Sequence, residues 1–221
     1  MPEPVAPAAP AAGALGAAPP AAPTHLLYLH GFRSSPQSFK AQRMLAWLRE
    51  HRPAVQAWCP QLPPSPDEAM ALVHQGTAHW PAAHSAVVGS SLGGFYAMGL
   101  SAQKAWPAVL SNPAVDPARD LAAYIGEQRA FHAPDEAFYF RPEYIEQLRR
   151  HTLPGLPGPL PAEITARWLA VIATGDEVLD WHEMHTRCQG AKMHIVQGSD
   201  HALSDFDQHL SVILHHLKLC D

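Results

Sequence analysis

The chain has 221 residues, enough for one domain with a substantial core, and its 47% hydrophobic content is ordinary for a globular protein. A formal net charge of −5 without any Lys/Arg run gives no electrostatic reason to expect nucleic acid or an anionic membrane as partner. No apolar run is long enough to span a bilayer, and three scattered cysteines (Cys59, Cys188, Cys220) point to a reducing cytoplasm rather than a disulfide framework.

In residues 1–23, 17 are Ala or Pro. Proline interrupts helix and alanine offers little surface to pack, so this stretch is expected to be a disordered tail. No basic residue precedes Thr24 and no clear apolar segment follows, which argues against a signal peptide. The folded domain is then expected over residues 24–221.

Apolar runs alternate with helical patterns from there on. His25–Leu29 is a first strand, and 36–51 an amphipathic helix carrying Phe39, Met44, Leu45 and Leu48. Val55–Cys59 is a second strand. Ser65-Pro66-Asp67-Glu68 reads as an N-cap with proline at the first helical position, opening a helix to about His79. Ala86–Gly89 is a third strand, followed by a helix over Leu92–Lys104. Ala108–Ser111 and Trp168–Ala173 are the fourth and fifth strands. A helix over 181–188, a sixth strand at Lys192–Val196 and a closing helix over 204–219 complete the series. Strict alternation implies βαβ units, hence a mainly parallel six-stranded sheet in the order 2-1-3-4-5-6 with helices on both faces. One connection is far longer than the rest. Residues 116–165 carry Phe131, Phe138, Tyr139, Phe140 and Tyr144 and end in a Pro/Gly stretch, and are expected to form a helical, aromatic lid. Phe138 and Tyr139 are its candidate substrate contacts.

The chemistry-bearing motif is Gly89-Ser90-Ser91-Leu92-Gly93, placed between a strand and a helix. Such a Gly-x-Ser-x-Gly turn holds a serine hydroxyl above the sheet, and its small residues let strand and helix pass closely. A serine needs an imidazole to take its proton and a carboxylate to orient that imidazole. In this architecture they follow in the order Ser, acid, His. Asp176, just past the fifth strand, is the expected acid; Asp180 is its rival, with helix N-cap as its other role, and Glu177 is expected to face solvent. His201, in the loop after the sixth strand, is the expected base. The amides of Leu92 and of Phe32, in the loop after the first strand, are the expected oxyanion donors. Arg33 is either a contact for a substrate carboxylate or an ordinary surface arginine. Fifteen histidines are many, but pairs such as His182 and His185 lack the further ligands of a zinc site, so no metal or cofactor is expected.

Five stretches together resemble the YqiA-like esterases, small α/β-hydrolases: residues 27–36 (LYLHGFRSSP), 88–97 (VGSSLGGFYA), 111–115 (SNPAV), 174–180 (TGDEVLD) and 198–202 (GSDHA). The resemblance covers residues 25–217 and is weakest over 116–165. It implies carboxylic-ester hydrolysis with Ser91, Asp176 and His201 as the triad, acting on a small-molecule ester. Two other readings stay open: a thioesterase or acyltransferase with the same triad, and a hydrolase-fold protein that binds without turning over.

Overall fold

The computed structural model describes residues 22–156 and 158–220. The expected disorder of the tail concerns residues outside this range up to residue 21. In chain order the strands are β1 (His25–Leu29), β2 (Gln56–Trp58), β3 (Ser85–Ser90), β4 (Ala108–Ser111), β5 (Gly126–Ala130), β6 (Ala133–Phe140), β7 (Trp168–Ala173) and β8 (Lys192–Val196). The helices are α1 (Phe39–His51), α2 (Pro66–Gly76), α3 (Leu92–Lys104), α4 (Pro117–Asp120), α5 (Glu143–His151), α6 (Ala162–Thr165), α7 (Trp181–Arg187) and α8 (Phe206–His216). Six strands form one sheet in the order β2-β1-β3-β4-β7-β8, and each neighbouring pair is parallel.

The central strands β1, β3, β4 and β7 are mostly apolar and buried because both faces of the sheet are covered there. Side chains alternate across a strand. Leu27, Leu29, Val87, Leu110 and Ile172 therefore join one buried cluster with residues of α2, α3, α5 and α7. Leu26, Tyr28, Val88, Val109 and Val171 join a second cluster with α1 and α8. Every central strand delivers its C-terminal end to the same edge. Leu29 pairs with Gly89, Ser90 with Ser111, and Ala173 with Val196. The loops leaving that edge begin at His30, Ser91, Asn112, Thr174 and Gln197, the edge at which open α/β sheets bind ligands.

Element boundaries depart from expectation in several places, and α8 spans only Phe206–His216. Helix α1 starts at Phe39 rather than residue 36, because Ser38 N–H closes a turn onto the Ser35 carbonyl. Within α1, Phe39 is half exposed and Lys40 takes an inward position beside Ala41, Met44 and Leu48. Helix α2 ends at Gly76, which lies against the Trp58 ring so closely that a Cβ there would overlap it. The largest difference is in the 116–165 insertion. It is not simply helical: β5 and β6 form an antiparallel hairpin joined at Phe131-His132, between the short α4 and the amphipathic α5.

Candidate functional site

Ser91 sits between β3 and α3 with φ 54° and ψ −121°, a region that a non-glycine residue enters only at a cost. The surrounding backbone holds it there. Ser91 N–H donates to the Ser111 carbonyl at 3.0 Å, and its own carbonyl accepts from the amides of Gly94, Phe95 and Ala114. Glycine is required at two points of this turn. A Cβ on Gly89 would overlap the Gly93 backbone, and one on Gly93 would overlap the Leu29 carbonyl. The strand-to-helix turn can therefore be this tight only with bare backbone at both positions.

The three predicted side chains meet at the sheet edge. His201 Nδ1 lies 2.7 Å from Asp176 Oδ2, and His201 Nε2 lies 3.0 Å from Ser91 Oγ. A ring nitrogen facing a carboxylate carries the proton, which leaves Nε2 free to accept from the serine hydroxyl. The Asp176 carboxylate is fully buried, and its other oxygen accepts from the amides of Val178 and Leu179 at 2.9 and 2.8 Å. Buried carboxylates need such donors. Asp180 instead caps α7, accepting from the His182 amide at 2.8 Å.

Phe32 and Leu92 flank the serine. Among the described residues neither amide donates to any other group, so both remain available to a ligand. Gly31 brings the first-strand loop against the serine: a Cβ there would stand 3.1 Å from Ser91 Cβ. His30 fixes this loop. Its Nε2 accepts from Leu62 N–H at 3.0 Å, so Nδ1 carries the proton and donates to the Gly31 carbonyl at 2.9 Å. Burial pushes the His30 imidazole below its ordinary value and favours this neutral form.

The hairpin of the insertion is strapped to the same loop. Phe131 N–H donates to the Arg33 carbonyl, and Arg33 Nε donates to the Arg129 carbonyl, each at 2.8 Å. The Arg33 guanidinium stacks 4.6 Å from the Phe131 ring centre. Arg33 thus holds the hairpin through Nε and also lines the cavity beside Phe32. Phe138 packs edge-on to Phe32 at 6.0 Å and lines a cavity of about 550 Å³ with Leu62, Leu92 and Tyr96. Tyr139 differs from expectation. The two-residue period of β6 turns it outward, 60% exposed, and it lines neither cavity beside the serine. The other cavity, of about 470 Å³, opens on Ser91 and His201 between Phe39, Lys40, Phe131 and His132.

Three residues in or beside the site were given no role by the sequence reading. Asn112 is wholly buried at φ 40°, a conformation asparagine tolerates better than most residues. Its amide donates to the carbonyls of Asp200 and His201 at 3.1 Å each, while its oxygen accepts from Ala173 N–H at 2.8 Å. One side chain therefore ties the histidine loop to the strand that leads to Asp176. Glu177 is exposed, as expected, yet its Oε2 accepts from the His201 amide at 3.0 Å. Lys40, an inward lysine, lines the serine cavity. Local patterning could have flagged only Asn112, as an Asn-Pro step directly after a buried strand. Among the described residues no three metal-ligating side chains cluster, and no helix is long and apolar enough to cross a membrane.

The chain is similar over most of its length to solved structures of the α/β-hydrolase fold. A candidate hydrolase from Agrobacterium vitis S4 is 19% identical, with 89% of this chain and 91% of that chain covered at a TM-score of 0.66. The mouse alpha/beta hydrolase domain-containing protein 10 is 15% identical, with 86% of each chain covered and a TM-score of 0.63. One of the metagenome-derived lipolytic enzymes LipS and LipT is 15% identical, covering 90% of this chain and 95% of that chain, with a TM-score of 0.61. At such identities these similarities establish the fold. A family profile described as Uncharacterised protein family (UPF0227) matches residues 25–218, so the chain belongs to that family, the YqiA-like group, within the α/β-hydrolase fold.

Proposed function

We propose that this protein is a serine hydrolase that cleaves a small carboxylic ester through an acyl-enzyme on Ser91. The observation that carries the reading is the unbroken chain Ser91 Oγ–His201 Nε2/Nδ1–Asp176, set beside two amides that have no partner among the described residues. Ser91 Oγ attacks the ester carbonyl as His201 Nε2 takes the hydroxyl proton. Asp176 remains ionised, holding the ring and stabilising the imidazolium. The carbonyl oxygen gains charge and accepts from the Phe32 and Leu92 amides. The tetrahedral centre collapses, His201 returns the proton to the departing alcohol, and the acyl group stays on Ser91. Water then attacks with His201 as base, the acid leaves, and the serine is restored. The cavities on either side of the oxyanion loop give room for the two halves of an ester. Similarity to lipolytic enzymes supports the same reaction class.

The test is hydrolysis of p-nitrophenyl esters of graded acyl length by the wild type and Ser91→Ala. Turnover is expected in the wild type and a fall to background in the variant. Equal rates in both would overturn the proposal.

A further inference from the structure

The cavity on Ser91 contains a positive group that the reaction above does not use. Lys40 is only 8% exposed, although lysines ordinarily carry their ammonium out to water. It lines the cavity with Ser91, His201, Phe39 and Phe131. Among the described residues its ammonium makes no hydrogen bond or ion pair. The two carboxylates that act on it electrostatically have partners of their own: Asp176 holds His201, and Asp200 accepts from the amide and hydroxyl of Ser204. Lys40 is also the second residue of α1, where a cation opposes the helix dipole, and no acidic residue occupies that first turn. The N-cap hydroxyl of Ser38 makes no capping bond and lines the same cavity. A buried ammonium, a free hydroxyl and a positive helix end thus share one space with the nucleophile.

We propose that Lys40 and Ser38 form an anion subsite beside Ser91, so that the ester cleaved carries a carboxylate or phosphate. The inference rests on the ester-hydrolase reading and names its substrate class. Phe39, Phe131 and Ala202 border the same cavity, and apolar walls strengthen an ion pair formed there. Burial lowers the ammonium to about 8, which leaves it charged at neutral pH.

Two readouts separate this inference from the reaction itself. Binding is measured on Ser91→Ala, with and without Lys40→Met or Lys40→Gln, using phenyl butyrate, 4-butyryloxybenzoate, 4-butyryloxyphenyl phosphate and monophenyl glutarate. At least one anionic ester is expected to bind Ser91→Ala tighter than phenyl butyrate. Loss of the Lys40 charge is expected to reduce that ratio about 10- to 100-fold. Carboxylate against phosphate, and alcohol-side against acyl-side charge, identify the group and the half of the ester that reaches Lys40. Equal binding of neutral and anionic esters, or a ratio untouched by both Lys40 substitutions, would overturn the subsite. Turnover of the same esters by the otherwise unmodified protein is followed in parallel. Ser91-independent or absent turnover would sink the hydrolase reading while the binding ratio still decides the anion subsite.

Discussion

Lys40→Met removes the ammonium and keeps most of the stem that packs inside α1, so it isolates the cost of the buried charge. Burial is the dominant influence on Lys40, and Asp200 and Asp176 offset it only in part. A fall from the ordinary 10.5 to about 8 corresponds to about 3 kcal/mol of preference for the neutral amine in the folded protein. The sign follows from proton counting. Below pH 8 the lysine is charged in both folded and unfolded chains, and the folded state carries the whole cost. Between 8 and 10.5 the folded chain releases its proton first, and the cost fades. Lys40→Met is therefore expected to be more stable than wild type at pH 7, by roughly 6–12 °C in Tm for a domain of this size, with the gap closing by pH 10.5. The assay is thermal unfolding by circular dichroism across that range, without added anions. A variant less stable than wild type at pH 7, or a gap that does not change with pH, would show that the ammonium has a strong partner and refute the reasoning.

Other expectations follow from the site. Asp176→Asn should lower kcat by about 10⁴-fold by disturbing the His201 tautomer, whereas Asp180→Asn should leave kcat in place and change stability little, because an asparagine oxygen can still cap α7; the reverse pattern in steady-state kinetics would reassign the acid. Asn112→Ala leaves the His201 carbonyl and the Ala173 amide without the Asn112 side chain, while the Asp200 carbonyl keeps the Leu203 amide, which should cost about 1–3 kcal/mol and lower kcat more than it raises KM, because the His201 loop loosens; a normal kcat in a destabilised variant would confine Asn112 to a structural role. His30, His194 and His216 are each pushed below the ordinary 6.5 chiefly by burial, so the unfolded chain takes up protons first and stability should fall as pH drops below 6.5; a Tm that holds or rises from pH 7 to 5 would contradict this.

The sheet was legible because its central strands are mostly apolar on both faces. The elbow was legible because only glycine fits at Gly89 and Gly93. Asp176 and His201 could be placed by their positions just after the fifth and sixth strands. The hairpin escaped notice for a physical reason. Gly126-Glu127-Gln128-Arg129-Ala130 is polar and alternates half-buried with exposed residues, and its turn at Phe131-His132 contains no Gly, Asn or Asp to announce it. The outward placement of Tyr139 follows from that hairpin, since a helix would have set a different period. Asn112 acquires its role from partners far away in sequence, and Lys40 its place from a cavity assembled by distant segments. The Asn112 amide reaches Asp200 and His201, and the cavity beside Lys40 joins α1 to the elbow, the histidine loop and the hairpin tip. Glu177 is exposed and so reads as a solvated carboxylate until the His201 amide comes to rest on it.

The central claim is that Ser91 carries the acyl group. The direct measurement is to mix the protein with p-nitrophenyl acetate, quench in acid within the first turnovers, and map the adduct by peptide mass spectrometry. An acetyl group on the peptide containing Ser91, absent from Ser91→Ala and prolonged when deacylation is slowed, is the expected result. Turnover with Ser91 unmodified, or an adduct on another residue such as Lys40 or His201, would contradict the account.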